Sequence, residues 1–194
     1  MTKDIASALR PALALLLAFA LLTGLAYPLA MTGIGQLLFP AQANGSLIRD
    51  KGKVIGSELI GQSFASPGYF HGRPSAAGDG YNAAASSGSN LAPNATALIE
   101  RTQASISEIR ASGVTGAIPA DLVTTSASGL DPHISPEAAF SQVVRVARAR
   151  GLPQDRVMSL AQSAVESPLV GIIGEPRVNV LLLNRALDRI NESE

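Results

Sequence analysis

Several groups of side chains in this sequence have types and spacings that chemistry could use. Ser126-Ala-Ser128-Gly-Leu-Asp131-Pro-His133 puts a hydroxyl, a carboxylate and an imidazole within eight residues, the parts of a nucleophile, its base and its orienter. Triads are normally assembled from distant segments, and no Gly-x-Ser-x-Gly elbow exposes either serine. A turn in which Ser and Asp bond local backbone accounts for the same residues and is the preferred reading. His71-Gly-Arg73-Pro-Ser75 could hold an anion on a guanidinium and converging amides, or could organise its own loop, which is again preferred. Ser86-Ser-Gly88-Ser-Asn90 lacks the lysine and the spacing of a phosphate-binding loop. Glu100, Glu108, Asp121 and Asp131 are scattered without the pairing of a general acid and base.

Composition narrows the field further. The chain has 194 residues, no Cys and two His, and its 15 Lys and Arg balance 15 Asp and Glu. Without Cys there is no disulfide, thiolate nucleophile or Cys-ligated metal, and two histidines, His71 and His133, argue against a histidine-rich metal centre. Arg145, Arg148, Arg150 and Arg156 lie on two successive expected helices, as in a DNA-reading pair. The neutral balance argues against nucleic acid, and a solvated helix face is the better reading of those arginines.

The elements that must position these residues fall into two parts. After Arg10 no charged residue appears until Arg49, and Ala12 to Met31 is almost wholly apolar. Twenty such residues span about 30 Å as a helix, the thickness of a bilayer core. The expected organisation is a short cytoplasmic N-terminus over 1–11, a transmembrane helix over 12–31, a connecting segment over 32–48 and a soluble domain over 49–194. A cleaved signal peptide competes with the retained anchor, since Lys3 and Arg10 form a basic leader and Gly24-Leu25-Ala26 resembles a cleavage site. The anchor is preferred because the apolar run outlasts a usual leader. Pro28 should bend or end the helix. Arg10 abuts the span whereas Arg49, Lys51 and Lys53 lie far beyond it, which favours a cytoplasmic N-terminus and an extracytoplasmic domain.

In the soluble part, Lys53 to Phe64 reads as a strand and turn, and Ser66 to Pro93 as loop. A helix is expected from about Asn94, its cap, to Ala111, with Leu98, Ile99, Ile106 and Ile109 inward. Pro119 to Val123 reads as a strand or turn. Ser135-Pro136-Glu137 opens a second helix with Phe140, Val143, Val144 and Ala147 inward, stopped by Gly151. Pro153 opens a third that ends near Pro168. Ile172, Ile173 and Val178 suggest strand, and Asn179 to Ile190 a last helix. The fold class is therefore α+β, a small domain behind one N-terminal transmembrane helix. Gly24, with Ala18 and Ala26, would let another helix approach closely. Tyr69, Phe70, His71 and Arg73 are residue types that anchor interfaces, so their loop is expected to face a partner.

A set of strings carries a resemblance over nearly the whole chain: Tyr27-Pro-Leu, Phe39-Pro, Gln42-Ala-Asn-Gly-Ser-Leu-Ile48, Gly56-Ser-x-Leu-Ile-Gly-Gln62, Gly68-Tyr-Phe-His-Gly-Arg-Pro-Ser-Ala76, Ser87-Gly-Ser-Asn-Leu91, Arg145-Val-Ala147 and Pro176-x-Val-Asn-Val180. In order and spacing they resemble the C-subunit family of Kdp-type potassium-transporting ATPases. The resemblance implies a single-pass subunit of an inner-membrane potassium uptake complex, with its C-terminal domain in the periplasm. Its implied partners are a potassium-channel-like subunit, a P-type ATPase catalytic subunit and a small membrane peptide. It further implies a catalytic chaperone that raises the pump's ATP affinity, with a nucleotide contact at Gln142. Such a contact collides with the topology above, which puts Gln142 across the membrane from cytosolic ATP. The chain itself has neither an Asp-Lys-Thr-Gly phosphorylation motif nor a Thr-Val-Gly-Tyr-Gly filter, so an accessory, non-catalytic role is expected, without a tightly bound cofactor or metal. A membrane-anchored envelope hydrolase and a secreted binding module are the alternatives.

Overall fold

The computed structural model describes residues 2–168 and 174–192. Ile172 and Ile173, expected as strand, lie outside the described residues. The chain divides into two compact units, Met1–Leu47 and Ile48–Glu194.

The first unit is one long helix with a break in its register. Helix α1 (Thr2–Leu21) runs into a π turn (Leu22–Ala26) and continues as α2 (Tyr27–Leu38), followed by the single-turn α3 (Pro40–Ala43). Pro28 therefore does not end the helix. A proline inside a helix lacks the N–H of that position and presses its ring on the carbonyl four residues back. The wider π turn, in which the Tyr27 N–H reaches back to the Leu22 carbonyl, places Pro28 in the first turn of the resumed helix, where it is tolerated. Helix thus continues past Met31 into the segment expected as a connection. From Ser7 to Leu38 it is long and apolar enough to cross a membrane, and none of its apolar window is buried within the chain.

The second unit is α+β. Strands β1 (Leu47–Asp50) and β2 (Lys53–Ser57) form a two-stranded sheet. Their turn places Lys51 and Gly52 at φ values of +46° and +81°, the paired positive angles of the turn that best fits strand twist. Helix α4 (Thr96–Ala111) follows the long loop. Asn94 does not cap it: Ala95 occupies that position with no side-chain bond. Its expected inward face is also only partly covered, with Ile99 and Ile106 still 49% and 38% exposed.

The core is built by three helices and a small sheet. Helix α5 (Pro136–Arg150) starts where expected, with the Ser135 hydroxyl accepting the Ala138 N–H, and stops at Gly151 in the left-handed region. Its buried stripe runs through Ala139, Gln142, Val143, Val146 and Ala147, so Val144, expected inward, points outward. Helix α6 (Gln154–Ser163) ends before Pro168 because β4 (Val165–Glu166) pairs with β5 (Arg177–Asn179). The other neighbour of β5 is β3 (His133–Ile134), antiparallel with His133 opposite Asn179. This short strand falls inside the suspected triad cluster. Asn179 then caps α7 (Val180–Glu192) by accepting the Leu182 N–H, and its amide also donates to the Glu58 carbonyl. Phe70, Val143, Val157, Val178, Leu183 and Leu187 are fully buried together.

The Ser135 hydroxyl does double service, capping α5 and donating to Asp121, whose other oxygen accepts the Ser135 N–H. Ser135→Ala removes the cap and should lower stability by about 1 kcal/mol, read as a lower denaturant midpoint for the full chain in detergent with an unchanged slope.

Candidate functional site

The segment Ser66 to Arg73 is loop without a strand neighbour, and it anchors in the core through Phe70. A buried backbone needs partners for its N–H and C=O groups, and here side chains supply them. Asn184 on α7 accepts the Phe70 N–H at 2.8 Å and donates to the Phe70 carbonyl at 2.9 Å. Gln142 on α5 does the same one residue on, accepting the His71 N–H at 2.8 Å and donating to the His71 carbonyl at 3.1 Å. Two carboxamides on different helices thus stand in for a missing strand. Both are almost inaccessible, at 2% and 3% exposure. The ring of Phe70, expected to face a partner, is completely buried. It is an anchor in the core, and the partner-facing assignment does not hold for that side chain.

Arginines fix the rest of the segment. Arg145 donates to the carbonyls of Pro67 and Tyr69 and to the side-chain oxygen of Gln142. Arg150 donates to the Gly68 carbonyl, pairs with Asp188 at 2.8 Å and lies 4.5 Å over the Tyr69 ring. The Tyr69 hydroxyl closes the circuit by donating to Asp188. Arg145 and Arg150 are therefore no idle solvated face. Burial lowers the pKa of Arg145 below the ordinary guanidinium value.

Arg73 works at the other end of the loop. It reaches the carbonyl and hydroxyl of Thr124, the Thr125 carbonyl and the Asp131 carboxylate at 3.3–3.5 Å. Burial alone would raise the pKa of Asp131. Hydrogen bonds from His133 and the charge of Arg73 outweigh burial and hold it below the carboxylate norm. Behind Arg73, the Tyr81 hydroxyl donates to its carbonyl. Ser75 accepts the Tyr81 N–H and donates to the Gly129 carbonyl. Gly129, at φ +66°, is required there, since a Cβ would come within 2.6 Å of the Ser87 carbonyl oxygen.

The suspected triad resolves into a turn. The Ser126 and Ser128 hydroxyls accept the N–H groups of Gly129 and Leu130, and Asp131 accepts the His133 N–H. Among the described residues no hydrogen bond joins a serine hydroxyl to His133, and no cluster of three or more His, Asp or Glu could hold a metal.

Gln142 has all four of its hydrogen-bonding positions filled: two acceptances, from His71 and Arg145, and two donations, to His71 and Ala138. It borders a cleft of 360 Å³ between the loop and α4, lined also by His71, Arg73, Glu108 and Arg145. Any further hydrogen bond to the Gln142 carboxamide would have to displace one of these four. A larger groove of 1130 Å³ lies on the far side of Arg73, beside Asp121, Asp131, His133 and Glu137. Asn184 is the site residue that sequence reasoning misses. The available signal is an amide on the stripe of α7 that also carries Leu183 and Leu187.

Comparison with known proteins agrees over the same length. The family model described as KdpC: K+-transporting ATPase, c chain, matches residues 9–189. A potassium-transporting ATPase KdpC subunit from Caulobacter vibrioides (strain NA1000 / CB15N) is 61% identical over 183 residues, covering 94% of this chain and 93% of its own. That of Bradyrhizobium diazoefficiens is 56% identical over 193 residues, covering 93% and 96%. That of Myxococcus xanthus is 60% identical over 171 residues, covering 87% and 81%.

The clamped loop makes stability depend on its side-chain partners and on pH. Gln142→Ala strands the half-buried His71 amide and carbonyl and should cost about 1–3 kcal/mol. Arg73→Ala, whose contacts are longer and partly hydrated, should cost about 1 kcal/mol; denaturant titration of the full chain separates the two. Acid should act in two stages. Burial, then the charge of Arg145, lower the pKa of His71 from 6.5, against the opposing Ser66 carbonyl and Glu108. The unfolded chain therefore takes up this proton first, and stability held above the unfolded pKa is lost as pH falls through 6.5 toward the folded value. Asp131 adds a later loss, as pH falls below 3.8 through its lowered folded pKa. His71→Asn should remove the first limb of a melting-temperature profile and leave the second.

Proposed function

The chain belongs to the KdpC family, and on that premise we propose that it is the non-catalytic assembly subunit of an ATP-driven potassium uptake complex. In this reading the apolar helix is a retained single-pass anchor in the inner membrane, with its N-terminus in the cytoplasm. The α+β domain lies in the periplasm, over the side where potassium enters. Its partners are a channel-like subunit, a P-type ATPase subunit and a small membrane peptide. Charge near the span supports this orientation, since Arg10 flanks it closely while Arg49, Lys51 and Lys53 stand well beyond it.

The observation that carries the non-catalytic part is how the polar side chains of the site are employed. Gln142, Asn184, Arg145 and Arg73 each bond loop backbone, and the two serines of the triad-like cluster bond local amides. These groups define a shape, and among the described residues no serine hydroxyl bonds the His133 ring, which pairs instead with Asp131 at 3.5 Å. A rise in the pump's ATP affinity is then exerted through subunit contacts, with Gln142 holding the loop that shapes the domain. Tyr69, His71 and Arg73 keep their place as candidates for a partner-facing edge, each half-buried, while Phe70 supports them from below.

Replacing residues 12–38 by an unrelated apolar helix of equal length tests the assignment. Co-purification of the other subunits and potassium uptake should both fall severalfold while the chain still reaches the membrane. Undiminished assembly and uptake would remove the helix from this role, and ATP hydrolysis by the purified chain alone would overturn the non-catalytic reading.

A further inference from the structure

We propose that the π turn in the apolar helix is a docking notch, in which the Thr23 carbonyl accepts a hydrogen bond from a hydroxyl or amide side chain on a partner subunit's membrane helix packed against Gly24. The inference rests on the reading that this helix spans the membrane within the complex.

Backbone chemistry deprives the Thr23 carbonyl of its regular helix donor. In a regular helix it would take the N–H of Tyr27, but that N–H donates to Leu22 instead. The next donor along, suited to the wider turn, would be residue 28, and Pro28 has no N–H. The same proline deprives Gly24 of its regular partner. Thr23 cannot repair the gap with its own side chain, because its hydroxyl donates to the Phe19 carbonyl at 2.7 Å.

Position makes the gap consequential. Thr23 stands at the middle of the Ser7–Leu38 stretch, as far from either water phase as the helix allows. No water at that depth can satisfy a carbonyl, and acyl chains offer no donor. Irregular backbone persists in hydrocarbon where neighbouring protein re-satisfies it, and π turns recur at functional sites. Access is open as well: Gly24 has no side chain, and nothing lies within 4 Å of where its Cβ would be. A second copy fits poorly. In a parallel pair the polar side chain at that depth would be Thr23 itself, whose hydroxyl is already committed to Phe19. A different helix with a Ser, Thr, Asn or Gln at the midplane fits both the acceptor and the gap.

Carbonyl chemical shifts read this directly. With 13C-carbonyl threonine and 15N-glycine, the full chain carries three doubly labelled peptide units, Thr23–Gly24, Thr32–Gly33 and Thr115–Gly116, assignable with Thr32→Ser and Thr115→Ser. Solid-state spectra are compared for the chain alone in lipid and in the assembled complex. The Thr23 carbonyl should move downfield on assembly, as an oxygen does on accepting a hydrogen bond. In Gly24→Leu, read with 13C-carbonyl threonine and 15N-leucine so that Thr23 heads the one Thr–Leu pair in the sequence, the Thr23 carbonyl should not move on assembly, and co-purification of the partner subunits should weaken about threefold or more. An unmoved Thr23 signal in an intact complex overturns the docking notch and leaves the proposed function standing. A downfield shift that grows with concentration in the chain alone assigns the notch to a second copy and overturns the chosen partner. Failure of the wild-type chain to co-purify at all overturns the function and the notch together.

Discussion

One constraint organises the domain: a loop anchored in the core by Phe70 must find partners for the backbone polar groups it draws inward. Phe70 is drawn inward by its apolar ring, and its N–H and carbonyl go with it. Asn184 and Gln142 meet that demand from two helices, pairing consecutive residues as a strand would. Leaving such a group unpaired costs about 1–3 kcal/mol, so removing either carboxamide forfeits more than a single contact. The arginines then become intelligible. Arg145 and Arg150 collect the carbonyls of Pro67, Gly68 and Tyr69, which no strand would otherwise meet.

The same constraint reappears in the apolar helix with the opposite outcome. Pro28 removes a donor, the helix widens into a π turn, and the Thr23 carbonyl loses its regular partner in a stretch with no buried residue. In the domain, side chains within the chain complete the pairing. In the helix, the proposed docking contact completes it from outside the chain.

Much of this is legible in the sequence, for identifiable reasons. The apolar helix is marked by an unbroken lack of charge between Arg10 and Arg49, and α5 by Ser135-Pro136 at one end and Gly151 at the other. Signals that depend on a local cap or stop transmit well. Signals that depend on distant packing do not. An apolar Val144 reads as inward, yet the stripe of α5 includes polar Gln142, placed there by a loop 71 residues earlier in the chain. Asn94 reads as the cap of α4, but the helix begins two residues later. The Ser126 to His133 cluster contains a strand residue because β5, more than forty residues downstream, pairs with it. The turn chemistry of its serines is readable from their types alone.

Amide hydrogen exchange at Phe70 and His71, in the full chain and without a partner, tests the central claim most directly. If Asn184 and Gln142 hold this loop as a strand would, both amides exchange as slowly as the core of α5, and Asn184→Ala or Gln142→Ala frees its own partner most. Fast exchange at both positions in the wild-type chain, at rates typical of exposed loop, would contradict the account.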